Sequence, residues 1–243
     1  MSQYLAASEL ILNPDGSLYH CNLLPENLAD TIFLVGDPGR VPAVSAFFDE
    51  VDFKTQKREI VTHTGTKNGK RVSVVSTGMG TDNIDIVLSE LDAVANIDLV
   101  KKQIKPEHKQ LTFIRLGTSG SLQEDIPPDS FLASTHGLGF DGLVHYYENA
   151  ERFSDNPFVE SFIEAVDWDP KLPKPYLAEG NAELLEKAKK LGFNSFDFIE
   201  IPNMMLQPLL ENAIWHGFRN ISYKGKIIIT FSKDDNLIRC IIL

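Results

Sequence analysis

Three apolar runs in this chain end in the same way, and that repetition constrains the fold more than any other feature. "TIFLV" runs into "GDPGR" (Gly36–Arg40), "VSVVS" into "TGMG" (Thr77–Gly80) and "FIRL" into "GTSG" (Gly117–Gly120). Short apolar runs rich in β-branched residues and closed by glycine read as buried strands. Glycine at such a point lets the backbone turn sharply and approach a ligand, and successive amides in the turn can form an anion-binding nest. Three strand ends with compatible chemistry point to one crevice at the carboxyl edge of a sheet, where open α/β folds bind ligands.

The remaining pattern supports that class. Strands are predicted at Thr31–Val35, Arg71–Val75, Leu111–Leu116 and Phe131–Ser134. Asn68-Gly69, between two β-rich runs, predicts a type I′ hairpin. The stretch "TDNIDIVLSELDAVANI" puts Ile84, Val87, Leu88, Leu91, Val94 and Ala95 on one helical face, with Thr81 or Asp82 as N-cap. Further helices are predicted at Pro157–Val166 and Ala182–Leu191. Strands and helices intermix, so the fold class is α/β.

Charge sets a condition on any anionic ligand. The formal net charge of -11 opposes nucleic acid and anionic membrane, so an anion must be held by a local cluster of cations working against the global field. The 2 cysteines, Cys21 and Cys240, lack metal-ligand spacing. The N-terminus has no basic region followed by an apolar core, and no apolar run reaches about 18 residues, so a cytoplasmic protein with neither leader nor membrane span is expected. From Asn194 onward, 5 basic and 5 acidic side chains balance, so the excess negative charge belongs to the preceding residues and a boundary is expected there. The expected organisation is residues 1–193 and 194–243.

Arg40 and Arg115 supply planar donor forks suited to phosphate, and Thr118 adds a hydroxyl. Taken alone, "GDPGR" is equally well a surface turn, and Met79 reads as packing. Together, "GDPGR", "STGMGTDNIDIVLSEL" and "RLGTSGSL", with "YHCNL" upstream, resemble the nucleoside phosphorylase family, and most closely its uridine phosphorylase branch, over residues 17–192. The resemblance implies a mixed, partly barrel-like central sheet flanked by helices. It also implies phosphate-dependent cleavage of an N-glycosidic bond, giving a free base and a pentose 1-phosphate. Inorganic phosphate is then a co-substrate, the other small-molecule partner is a nucleoside, and no cofactor is expected.

Residue by residue, the resemblance assigns Gly36, Arg40, Arg115 and Thr118 to phosphate binding. Arg58 matches an arginine lent to the phosphate site of a neighbouring subunit, and His20 a histidine lent to the ribose 5′-hydroxyl. Both imply a homodimer or higher homo-oligomer. Glu59, Met79 and Asn83 fall where some uridine phosphorylases hold a monovalent cation. The family often has a proline and a small hydroxyl where this chain has Asp82 and Asn83.

The resemblance stops after the Ala182–Leu191 helix. The glutamine and arginine that read the base, and the glutamate-methionine-glutamate stretch that fixes the ribose, have no counterpart here. Residues 198–242, with "IPNMMLQPLLENAIWHG", resemble instead the start of the ATP-binding domain of sensor histidine kinases, where Glu211 and Asn212 would belong to the Mg-ATP motif. "KIIITF" and "NLIRCIIL" read as two strands around a "KDDN" turn, giving a foreign α+β segment. Both portions read as cut, with the junction near Phe193. The expectation is phosphate binding with weak or absent turnover; the alternatives are a phosphate-binding or oligomerising remnant and an ATP-binding kinase fragment.

Overall fold

The apolar run Thr31–Val35 forms the first strand, β1, and everything nearby is organised by its two faces. The structure, a computed structural model, describes residues 4–119, 126 and 129–193 and the strand segments 199–200, 229–234 and 237–242. The chain divides into two units, Met1–Thr118 and Ser119–Leu243.

In the first unit β1 leads into α1 (Arg40–Ser45), then β2 (Glu50–Lys57), β3 (Ile60–Lys67), β4 (Lys70–Ser76), α2 (Thr81–Asn96), the short pair β5 (Ile97–Asp98) and β6 (Gln103–Ile104), and β7 (Thr112–Leu116). The main sheet has 5 strands in the order β2-β3-β4-β1-β7. It is mixed: β1 runs parallel to β4 and β7, whereas β2, β3 and β4 form an antiparallel meander. Asn68 and Gly69 both take positive φ, 50° and 72°, as the predicted type I′ turn requires.

Side chains alternate across β1. Ile32 and Leu34 join Val75 of β4 and Val87, Leu91 and Val94 of α2 in one core. Phe33 and Val35 join Val74, Val61 and, from α1, Val41 and Val44 in another. One helix thus covers each face of the sheet, which explains why β1 and β4 are apolar on both sides. Burial of each aliphatic side chain is worth about 1.5–3 kcal/mol, against at most about 0.7 kcal/mol of helix propensity lost at a β-branched position. Packing therefore decides that α2 is helical despite its isoleucines and valines. Its N-cap is Gly80, with φ 97°, and Thr81 is already the first helical residue, so the helix begins one position earlier than capping by Thr81 would have it.

In the second unit β8 (His136–Gly139), α3 (Glu151–Ser154), α4 (Pro157–Val166), β9 (Tyr176–Glu179), α5 (Ala182–Lys190) and β10 (Ile199–Glu200) follow in order. Strands pair in the order β10-β8-β9, over a core of Leu138, Val159 and Leu177. Asn156 caps α4, its side chain accepting from Phe158 N–H at 2.8 Å, with Pro157 at the first helical position. The strand predicted at Phe131–Ser134 lies instead at His136–Gly139. Gly139 pairs with Tyr176, and a Cβ there would stand 2.1 Å from the tyrosine ring. The space that glycine leaves is filled by the ring, whereas Phe131 is exposed.

Strands β11 (Ile229–Asp234) and β12 (Leu237–Ile242) form an antiparallel pair, as the two C-terminal apolar runs predicted. Residues 201–228, with Glu211 and Asn212, lie outside the described residues, as does the junction that follows Phe193. Among the described residues no helix is long and apolar enough to cross a membrane.

Candidate functional site

Register decides where the glycine-bearing strand ends lie. Val35 at the end of β1 pairs with Ser76 at the end of β4 and with Leu116 at the end of β7. Three neighbouring strands, about 5 Å apart, therefore stop level, and the segments that begin at Gly36, Thr77 and Gly117 leave from one edge. Thr77 N–H donates to Val35 O at 2.8 Å and ties the first two together. Gly36 is at the centre of this edge.

Arg40 opens α1, Arg115 is the penultimate residue of β7, and Thr118 follows the strand by two positions; all three are exposed. Paired residues on neighbouring strands face the same side of a sheet. Arg115 therefore shares the α2 face with Leu34, while Leu116 shares the α1 face with Val35. On that second face Arg40, Leu116 and Gly117 border a cavity of about 680 Å³ whose other walls include Phe33, Val44, Phe47 and Phe48. Its lining is mainly apolar, and Lys67, Asn68 and Lys70 border it as well. An ion gripped by both Arg40 and Arg115 would lie beyond the strand ends, over Gly36, and not inside this cavity.

The turn after β1 is less open than its glycines imply. Asp37 accepts hydrogen bonds from two of its amides, Gly39 N–H to the carboxylate at 2.8 Å and Arg40 N–H to the carbonyl at 3.0 Å. With those two donors occupied, this turn has fewer amides to offer an anion, and side-chain cations carry more of the task. The arginines are available for it. Among the described residues the guanidinium groups of Arg40, Arg58 and Arg115 have no ion-pair partner, whereas Arg71 is committed to Asp52 at 2.7 Å.

Arg58 sits in the two-residue turn between β2 and β3, with φ 54°, a left-handed conformation costly to a residue with a Cβ. The turn reaches the same sheet edge, because Ser76 Oγ at the end of β4 donates to Glu59 O at 2.7 Å. His20 is held elsewhere, on α2. The Glu90 carboxylate accepts from His20 Nδ1 at 2.7 Å, from His20 N–H at 3.0 Å and from Cys21 N–H at 2.7 Å. That fixes the proton of a neutral imidazole on Nδ1 and leaves Nε2 as an acceptor. Burial, reinforced by Glu90, pushes the Cys21 thiol far up and leaves it inert.

Gly36, Arg40, Arg115 and Thr118 lie at the ends of β1 and β7, and the Arg58 turn reaches the same edge through Glu59. The segment before His20 meets the end of β2: the Lys57 ammonium donates to the carbonyl of Tyr19 and stands 3.9 Å above the Tyr19 ring. Neither Glu90 nor Lys57 carried a recognisable signal in the sequence, since each acts on a loop 38 to 70 residues distant.

Glu59, Met79 and Asn83 do converge, but as a poor cation site. Asn83 Nδ2 donates to Glu59 Oε1 at 3.1 Å and to Met79 O at 2.9 Å, so an N–H group fills the point at which the oxygens meet. The Met79 side chain is 85% exposed, so it is not packing within this chain.

The model of the phosphorylase superfamily matches residues 30–204. The chain belongs to the phosphorylase superfamily. The match contains Gly36, Arg40, Arg58, Arg115 and Thr118, and it begins after His20. It also runs past Phe193 into the stretch set against the histidine kinases, and that second resemblance gains no support from the relatives. A uridine phosphorylase of Thermococcus kodakarensis is 30% identical over 169 residues, 69% of this chain and 56% of its own length. A uridine phosphorylase of Treponema pallidum is 32% identical, covering 55% of this chain and 46% of its own. A DeoD-type purine nucleoside phosphorylase of Streptococcus suis is 40% identical over 44% of this chain and 40% of its own. The chain spans about half the length of these curated relatives. A solved phosphorylase structure, the Trypanosoma brucei nucleoside phosphorylase that shows uridine phosphorylase activity, superposes with a TM-score of 0.67 at 28% identity, over 79% of this chain and 67% of that one.

Proposed function

We propose that this phosphorylase-superfamily chain binds inorganic phosphate for phosphorolysis of a nucleoside, uridine in the first place, with Gly36, Arg40, Arg115 and Thr118 as the resident phosphate ligands and Arg58 and His20 presented to a second copy. The observation that supports this reading is the level ending of β1, β4 and β7, which brings the segments that follow Val35 and Leu116 to one sheet edge. Loan of Arg58 and His20 across an interface, as the family resemblance implies, suits a homodimer in which each copy completes the other's site. A cytoplasmic setting and the absence of a cofactor belong to the same proposal.

The chemistry accounts for the residue types. In phosphorolysis a phosphate oxygen forms a bond to the anomeric carbon as the bond from that carbon to the base nitrogen breaks, and the electron pair leaves with the base. The sugar acquires oxocarbenium character, so a phosphate fixed beneath it is both nucleophile and counter-charge. Each charge-assisted hydrogen bond to the dianion is worth about 1.5–3 kcal/mol. Three arginines therefore suffice against the protein's net charge of -11. Water as nucleophile would give such a clamp nothing to hold.

Uridine incubated with the full chain, with and without phosphate, tests the proposal. Slow formation of uracil and ribose 1-phosphate, and only in the presence of phosphate, is expected, because the segments that read the base and fix the ribose have no counterpart in this chain. A phosphate-dependent rise in melting temperature that is lost in Arg115→Ala locates the ion. No phosphate-dependent product from uridine, inosine or adenosine, together with no phosphate stabilisation, overturns the reading.

A further inference from the structure

We propose that Asn83 is a positioning residue whose side-chain amide takes the place of a bound cation, latching the Arg58–Glu59 turn onto the loop that precedes α2. The chemistry of its partners fixes the amide's orientation. A carboxylate oxygen and a main-chain carbonyl are both pure acceptors, so the group between them must be the NH₂ and not the oxygen of the amide. Turning the amide over would gather three oxygens, Glu59 Oε1, Met79 O and Asn83 Oδ1, with nothing positive between them. An ion would require that arrangement; the amide makes the ion unnecessary.

The neighbours are built around this contact. Asn83 lies in the first turn of α2, so it is fixed by the helix that buries Val87 and Leu91. Gly78 adopts φ 72°, and a Cβ there would come within 2.7 Å of Glu59 Cγ and 2.9 Å of Asn83 Nδ2. Glycine is therefore what allows the turn and the helix to close on each other. Ser76 holds the Glu59 carbonyl at 2.7 Å, and Asn83 holds its carboxylate. Between them they secure the backbone that keeps Arg58 left-handed. The consequence for phosphate binding rests on the role proposed for Arg58; the latch itself does not.

The test compares melting of the full chain in potassium, sodium and choline chloride at equal ionic strength, without phosphate. Wild type is expected to melt at one temperature in all three. Asn83→Asp sets a second carboxylate beside Glu59, and its melting should fall in choline and recover saturably with potassium or sodium, by about 2–4 °C or more. Should Asn83→Asp not fold, Asn83→Ser, which removes the amide, leaves room for an ion and keeps a hydroxyl oxygen that can face it, carries the same expectation. A saturable potassium or sodium stabilisation of wild type overturns the latch, and so does a substituted protein that is indifferent to the cation. In a second arm inorganic phosphate is added in choline chloride, where wild type should be stabilised and Asn83→Ala should lose most of that shift. Failure of wild type to respond to phosphate would count against the phosphate reading alone, while the cation arm still judges the latch.

Discussion

Arg58→Gly separates the backbone of the β2–β3 turn from the charge it carries. Arg58 holds φ at 54°, and a left-handed conformation costs an L-residue about 1–2 kcal/mol. Glycine removes that cost but adds unfolded-chain freedom worth about 0.4–1 kcal/mol. The net expectation is a gain of roughly 0.5–1 kcal/mol, or about 1–4 °C in melting temperature. Arg58→Ala keeps the strain and discards the same exposed side chain, whose guanidinium has no ion-pair partner among the described residues. It should therefore stay within about 0.5 kcal/mol of wild type. Urea unfolding of the three proteins measures this directly, the midpoint moving for Gly with the slope unchanged. In parallel, both variants should lose the same share of phosphate stabilisation, because both lack the guanidinium. A glycine variant no more stable than the alanine variant would refute the claim of strain; retention of the full phosphate response by both would refute the role of the charge.

Removing the Glu90 carboxylate with Glu90→Ala should cost about 2–3 kcal/mol by denaturant unfolding, since several charge-assisted bonds to the His20 loop go with it. Leu91→Ala, at a residue with 0% exposure beneath α2, should cost about 2–5 kcal/mol in the same assay. His63, buried against Ser45, has its pKa held below 6.5 first by burial and then by Lys54. The unfolded chain then takes up a proton near pH 6.5 that the folded one resists, so His63 weighs against folding only as pH falls through that value and further down to the folded pKa. Stability measured between about pH 7 and 5 should decline, and His63→Asn should flatten part of the decline.

What could be read from sequence was what depends on neighbours along the chain. The bounds of β1 follow from an apolar run closed by Gly36, the hairpin from Asn68-Gly69, and α4 from Asn156-Pro157. The proposed phosphate set could be named for the same reason, because Gly36, Arg40, Arg115 and Thr118 belong to short motifs at strand ends. Features that depend on distant partners were hidden. Gly139 looks like a loop residue until Tyr176 is placed across from it. The amides after β1 look free until Asp37 is seen folded back on them. Asn83 looks like a departure from the family pattern until Glu59 and Met79 are found on either side of its nitrogen.

The Glu90 carboxylate gives the His20 loop the character of the protein's interior. Its two amide protons, on His20 and Cys21, end on a side chain carried by the same helix that supplies Val87, Leu91 and Val94 to the core. Deuterium should consequently enter those two positions only when α2 itself lifts away, at the pace of its innermost turns and far more slowly than at an ordinary surface crossing. Were His20 offered to a second copy, as proposed, it would arrive already aimed, and little freedom would be surrendered on association.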